Sequence, residues 1–152
     1  MSRLSYEAAR RFIFSREFFG MKLGLENVTE FLEQLGHPQD KYKTVHIAGT
    51  NGKGSTAAML EAIFRAQGYK TGLYTSPHLV DFRERIQVNG HKIDKQSVVE
   101  FISAHKKVLQ KRKLTFFEVV TALALDYFAR QKIDVAVIET GLGGRLDATN
   151  VL

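Results

Sequence analysis

The stretch His46-Ile47-Ala48-Gly49-Thr50-Asn51-Gly52-Lys53-Gly54-Ser55-Thr56 carries the densest chemistry in this sequence. An apolar run from Thr44 to Ala48 predicts a buried strand. A glycine-spaced turn with one lysine and two hydroxyls follows it. Ala58, Leu60, Ala62 and Ile63 then recur at helical spacing. Strand, glycine turn and helix together make an anion cradle, because successive backbone N–H groups and a helix N-terminus converge on one point and the lysine adds a full charge. The spacing is Gly49-x-x-Gly52-Lys53-x-Ser55, shorter than the common P-loop, whose first glycine would fall at Ile47. Lys53 could instead be a solvated residue of an ordinary strand-to-helix turn. A cation is poorly placed there, since the helix start already carries positive partial charge, and an anion between the two removes that misfit.

A second candidate is Glu139, which closes the apolar run Ile133-Asp134-Val135-Ala136-Val137-Ile138 and precedes Gly141, Gly143 and Gly144. In open α/β sheets ligands lie at the carboxyl ends of the strands. An acid there, beside a phosphate loop, can hold magnesium directly or through water. A solvated acid at a strand end is the competing interpretation. Phe117 alone reads as core, and His78 has no evident acid–base partner, so neither is assigned chemistry from its type.

These residues need positioning elements. Ser5 to Phe19 predicts an amphipathic helix with Ala8, Phe12 and Phe19 on one stripe. Asn27, with Glu30 three residues on, is expected to cap a helix through Leu35 that Gly36-His37-Pro38 ends. Strand Thr44–Ala48, helix Gly54–Gln67 and strand Thr71–Thr75 form a βαβ unit, whose strands run parallel. Asn89-Gly90 between Arg85–Val88 and His91–Ile93 signals a hairpin. Asp94 caps a helix to about Lys111, and Thr115-Phe116-Phe117-Glu118 has capping-box spacing for a helix to Lys132. The expected fold is α/β, a P-loop-type three-layer α/β/α arrangement with a mostly parallel sheet. Ile133–Glu139, the last strand in the chain, is expected to leave an unpaired edge and uncovered apolar surface.

The 152 residues amount to one domain's worth of chain, with 44% hydrophobic and 25% charged residues. No apolar run approaches the roughly 20 residues of a membrane span, and no secretory signal is visible, so a cytoplasmic location without membrane contact is expected. Zero cysteines exclude disulfides and thiolate metal sites. A net charge of +6 suits acidic small molecules and nucleic acid equally, so it does not discriminate between them. The cations Lys106, Lys107, Lys111, Arg112 and Lys113 have no aromatics between them. They read as a helix end complementing its dipole and not as a nucleic-acid surface.

Four segments in order closely resemble the dihydrofolate synthase/folylpolyglutamate synthase family, a branch of the Mur-ligase-like ATP-dependent amide ligases. They are Gly49-Thr50-Asn51-Gly52-Lys53-Gly54-Ser55, Thr75-Ser76-Pro77-His78-Leu79, Glu84-Arg85-Ile86, and Glu139-Thr140-Gly141-Leu142-Gly143-Gly144-Arg145-Leu146-Asp147-Ala148-Thr149-Asn150. The resemblance implies that ATP phosphorylates the carboxylate of a dihydropteroate or reduced folate, and that the amine of L-glutamate then attacks the acyl phosphate. It implies that Asn51, Gly52, Lys53, Gly54 and Ser55 hold the ATP phosphates, with Lys53 catalytic. Ser76 and Glu139 would ligate Mg2+, and Thr115, Phe117 and Asp147 would form the pterin side. Lys22 to Asn27 would be a segment covering the pteroate, and Leu79 to Arg85 a flexible loop near the acceptor.

The resemblance further implies that residues 1–152 are the N-terminal part of an ATP-binding domain, with the glutamate-binding domain absent, so that the chain alone does not complete the ligation. A missing C-terminal part or partner chain would supply the rest. Two alternatives stay open: a cell-wall or cyanophycin-type ligase of the same fold, and a non-enzymatic nucleotide- or folate-binding remnant or subunit.

Overall fold

Helical and strand periodicities translate into five helices and five strands in the computed structural model, which describes residues 4–20 and 24–152. Helix α1 (Tyr6–Ser15) starts where the Ser5 hydroxyl accepts from the Ala8 amide, and Arg16–Phe19 continues it as a tighter turn. Its buried stripe is Ala9, Phe12, Ile13 and Arg16, the spacing a 3.6-residue repeat requires. Ala8 and Phe19, expected on that stripe, are only half-buried. Helix α2 (Glu26–Gln34) begins earlier than the Asn27 signal suggests. Leu25 occupies the cap without a side-chain bond, and Glu30 turns outward to pair with Arg112. Gly36 and His37, at φ 76° and 50°, end the helix in left-handed conformations.

Strand β1 (Lys43–Ile47), helix α3 (Lys53–Ala66) and strand β2 (Thr71–Tyr74) follow. Strands β3 (Ile86–Val88) and β4 (His91–Lys92) form the expected hairpin, with both turn residues, Asn89 and Gly90, at positive φ. Helix α4 (Lys95–Lys111) is capped by Asp94, which accepts from the Ser97 amide at 2.8 Å. Helix α5 (Phe116–Arg130) opens on a complete capping box between Thr115 and Glu118, and strand β5 (Val135–Glu139) closes the chain's regular structure.

The sheet order is β1-β5-β2-β3-β4. The first three strands are parallel and the hairpin is antiparallel to β2. The last strand therefore does not form an edge. It inserts between β1 and β2 and is buried at all its positions, as a strand with both faces covered must be. Among the described residues the open parallel edge belongs to β1, where Lys43 and His46 are exposed.

Helices cover the two faces unequally. Ala136 and Ile138 of β5 and Tyr74 of β2 join the large core formed with α1, α2, α4 and α5. Helix α5 is buried continuously from Glu118 to Phe128, which explains its apolar character all round. On the other face Val137 and Leu73 meet Ala57 of α3 in a small cluster. Here α3 leaves Met59 and Ile63 about 60% exposed. The uncovered apolar surface expected at the last strand lies on this helix. No described helix is long and apolar enough to cross a membrane.

His105 of α4 lies between Phe31 and Phe101, at ring distances of 5.6 and 5.0 Å. Burial holds its pKa below 6.5, with Asp126 opposing and Arg130 assisting that shift. Below pH 6.5 the unfolded chain therefore binds more protons here than the native chain, and stability falls as pH falls. Urea unfolding across that range should show a smaller acid-side loss in His105→Gln than in the wild type, and identical slopes would contradict the burial effect.

Candidate active site at the strand carboxyl ends

Parallel strands β1, β5 and β2 end side by side, and each delivers one part of the site. After β1 the chain turns through Ala48 to Gly52, and Gly52 adopts φ 75° to enter α3. Lys53 is the first helical residue, one position earlier than expected. Its ammonium reaches back to donate to the Gly49 carbonyl at 3.0 Å. The first turn of α3 has no side-chain cap and no acidic residue. Its amides, with those of the loop, leave an electropositive turn suited to an anion.

Glu139, at the end of β5, is only 5% exposed. A methyl group built on Gly54 would sit at an ordinary contact distance, 3.5 Å, from both of its carboxylate oxygens, which places the start of α3 beside the acid. The Ser76 amide, just beyond β2, donates to Glu139 Oε2 at 2.9 Å. The phosphate loop, Glu139 and Ser76 are thus one cluster, as the motif order suggested. Among the described residues no group of three or more histidines and acids could hold a metal. A single carboxylate beside a phosphate loop and a hydroxyl fits magnesium, which takes one or two carboxylates and draws its other oxygens from phosphates and water.

The loop after β5 is organised by Asp147. Its Oδ2 accepts from the Gly141 and Leu142 amides at 2.9 and 2.8 Å. Its Oδ1 accepts from the amide and hydroxyl of Thr149 at 3.0 and 2.5 Å. Because the Thr149 proton is committed to Asp147, His46 Nε2 must carry the hydrogen in its 2.8 Å contact with Thr149 Oγ1. These bonds compete with any that Asp147 could accept from a pterin.

Between this loop and α5 lies a cavity of about 350 Å³, walled by Ser76, Arg85, Phe116, Phe117, Gly141 and Asp147 among others. The Phe117 ring rests so close to Gly141 that a β-carbon there would be 2.4 Å from its Cζ. Thr115 stands apart from this wall. It is buried as the cap of α5, its hydroxyl accepting from the Glu118 amide at 3.3 Å. Of the expected covering segment, Lys22 and Leu23 lie outside the described residues. The loop from Leu79 to Arg85 is pinned at its base by Glu84, whose carboxylate accepts from the amides of Leu79, Val80 and Asp81. Leu79 and Val80 themselves project, about 90% exposed.

Residue-type reasoning gave no role to Arg85, a cavity residue whose Nε donates to His78 Nδ1 at 2.9 Å. It sits in the Glu84-Arg85-Ile86 motif. Its burial follows from pairing Arg85 with Thr75 across the sheet, which local patterning does not show.

No protein-family profile matches the chain. Two curated relatives do: a probable bifunctional folylpolyglutamate synthase/dihydropteroate synthase of Haloferax volcanii, 47% identical over 98% of this chain, and the dihydrofolate synthase/folylpolyglutamate synthase of Bacillus subtilis, 42% identical over 97%. This chain is similar to the N-terminal part of folylpolyglutamate and dihydrofolate synthases. It spans 18% and 36% of those two relatives.

Solved structures superpose closely. Folylpolyglutamate synthase from Thermotoga maritima matches with a TM-score of 0.89 at 46% identity, over 97% of this chain and 35% of that one. A bifunctional enzyme from Yersinia pestis, complexed with AMPPNP and Mn ion, gives 0.88 at 36%, over 97% and 36%. E. coli FolC in complex with DHPP and ADP gives 0.84 at 37%, over 95% and 36%.

Gly141→Ala should close the cavity by displacing Phe117 and destabilise the fold by about 1–3 kcal/mol, the usual cost of overpacking. Denaturant unfolding checks this, and a wild-type midpoint would show that the ring moves freely.

Proposed function

We propose that residues 1–152 are the N-terminal part of an ATP-binding domain and supply the nucleotide, magnesium and pterin side of an ATP-dependent amide ligase. In this reading the acceptor is dihydropteroate or a reduced folate, and the amine is that of L-glutamate. The observation that carries it is the convergence of the phosphate loop, the Glu139–Ser76 pair and the Phe117 cavity at one end of three adjacent strands. The relatives' ligands support it: AMPPNP and Mn ion in the Yersinia pestis enzyme, and DHPP with ADP in E. coli FolC.

A carboxylate is a poor electrophile because its leaving group would be oxide. In the proposed first step one acceptor oxygen attacks the γ-phosphorus, the bond to the β-bridging oxygen breaks, and ADP leaves an acyl phosphate behind. In the second step the amine nitrogen attacks the acyl carbon, phosphate departs and the nitrogen loses a proton. The chain's contribution to the first step is placement and charge neutralisation. Asn51 to Ser55 present loop and helix amides to the phosphates. Lys53 exchanges the Gly49 carbonyl for a phosphate oxygen and offsets the charge in transit. Glu139 and Ser76 would hold magnesium, which supplies further neutralisation at the phosphates. Phe117 offers a face to a flat ring, and Asp147 keeps the glycine loop against that ring. Thr115 acts through α5, by fixing the helix start that carries Phe117. The amine side is assigned to none of these residues.

Lys53→Ala should weaken binding of a fluorescent ATP analogue at least about tenfold, the loss expected for one charge-assisted bond. Equal affinity in direct titrations would remove the phosphate-cradle assignment. Glu139→Gln keeps the shape of the side chain but removes its charge. Titrating the same analogue with and without magnesium should show a metal enhancement in wild type and little in the variant. An undiminished enhancement would mean that another group holds the cation.

A further inference from the structure

Arg85 is a buried cation that lines the cavity and that the proposed reaction leaves without a task. It is 9% exposed and lines the cavity beside Phe116, Phe117 and Ser76. Its Nε donates to His78 Nδ1 at 2.9 Å, and its guanidinium carbon stands 5.2 Å from the centre of the Phe116 ring. Those two contacts fix the plane of the group. Among the described residues no carboxylate pairs with it, and its terminal nitrogens have no protein acceptor.

Of the nearby acids, Glu17 acts on His78 only through its charge and makes no ion pair with Arg85, and the others are engaged elsewhere. Asp81 takes Arg83 in a two-pronged contact, with Lys92 at 4.0 Å. Glu84 takes three amides of its own loop. Asp147 takes the glycine loop, and Glu139 takes the Ser76 amide. The neighbouring arginine, Arg83, thus has a built-in counter-ion, whereas Arg85, more deeply buried, has none. A guanidinium fork that faces a cavity, with no acceptor of its own, can donate to one planar anion there.

We propose that Arg85 anchors the carboxylate of the acceptor, receiving it bidentately and aiming it at the phosphate loop. The assignment rests on the cavity being the acceptor's site. The geometry favours the reactive end of the ligand over any remote one. The Arg85 carbonyl accepts from the Thr75 amide at 3.1 Å, one residue from Ser76. Ser76 in turn touches both the cavity and Glu139. An aromatic acid between Phe116 and Phe117 with its carboxylate on Arg85 therefore ends near the cluster that is to hold the transferring phosphate. A planar guanidinium suits a planar carboxylate, and an ammonium would give charge without that orientation. His78 is a positioning residue here, since its Nδ1 lone pair holds the guanidinium in plane.

The test compares pteroate, its neutral primary amide and benzoate as ligands of the 15N-labelled chain, read by amide shifts at Ser76 and Gly141. The wild type should prefer pteroate to the amide by about tenfold or more. Arg85→Met should abolish that preference while holding the amide within about twofold, which also reports an intact cavity, and Arg85→Lys should recover part of the preference. If methionine unsettles the Phe116 contact, the lysine variant alone carries the comparison. Equal weakening of acid and amide, or an acid preference that survives in both variants, overturns the anchor. Pteroate bound with no acid preference keeps the pterin reading and overturns the anchor. Benzoate bound through Arg85 with no response to pteroate keeps the anchor and overturns the pterin reading. Absence of all three responses overturns both.

Discussion

One hydrogen bond, from the Ser76 amide to the Glu139 carboxylate, holds the active end of this molecule together. Glu139 ends a strand with no exposed position, so its charge needs a donor close by. That donor comes from the loop after a neighbouring strand, which ties two strand ends together. The start of α3 lies beside the same carboxylate at Gly54. Strand order makes this possible. Because β5 enters between β1 and β2, the phosphate loop and the Ser76 loop flank Glu139 from opposite sides.

The glycine loop is built on the same logic with a second acid. Asp147 collects two amides from the start of its loop and two donors from Thr149, and Thr149 is held in turn by His46 of β1. A segment with little side-chain bulk thereby gains a fixed shape from one carboxylate. That shape lets Phe117 lie against bare backbone at Gly141 and forms a wall of the cavity.

Much of this was legible in the sequence, and the limits have physical causes. Asp94, the Thr115–Glu118 box and Asn89-Gly90 were readable because caps and tight turns are local hydrogen-bond problems solved by nearby residues. The strand, glycine turn and helix around Lys53 were readable because closely spaced glycines between an apolar run and a helical repeat mark such a turn. Asn27 failed as a cap because the Leu25 carbonyl already accepts from the Thr29 amide, at 2.8 Å, and the helix begins ahead of it. Position in the chain misled for β5. The last strand in sequence became an interior strand in space, since α5 brings the chain back across the sheet and no local pattern encodes that return. Arg85 was hidden for the same reason: its lack of a partner shows only once Asp81, Glu84, Asp147 and Glu139 are all seen to be engaged. Site roles for Thr115 and Asp147 came only from the family resemblance, and their bonds in the fold run mostly to backbone, with one from Asp147 to the Thr149 hydroxyl.

The contact between the Lys53 ammonium and the Gly49 carbonyl has a thermodynamic meaning. It spans the loop and braces the turn before any anion arrives. In the proposed reading, an entering phosphate would give the lysine one oxygen acceptor of higher charge in exchange for another. The backbone around it then has little conformational freedom left to lose. Binding costs less ordering entropy than it would on a slack loop. On that reading the latch would make this loop a preorganised receptor, its affinity set mainly by the difference between two acceptors.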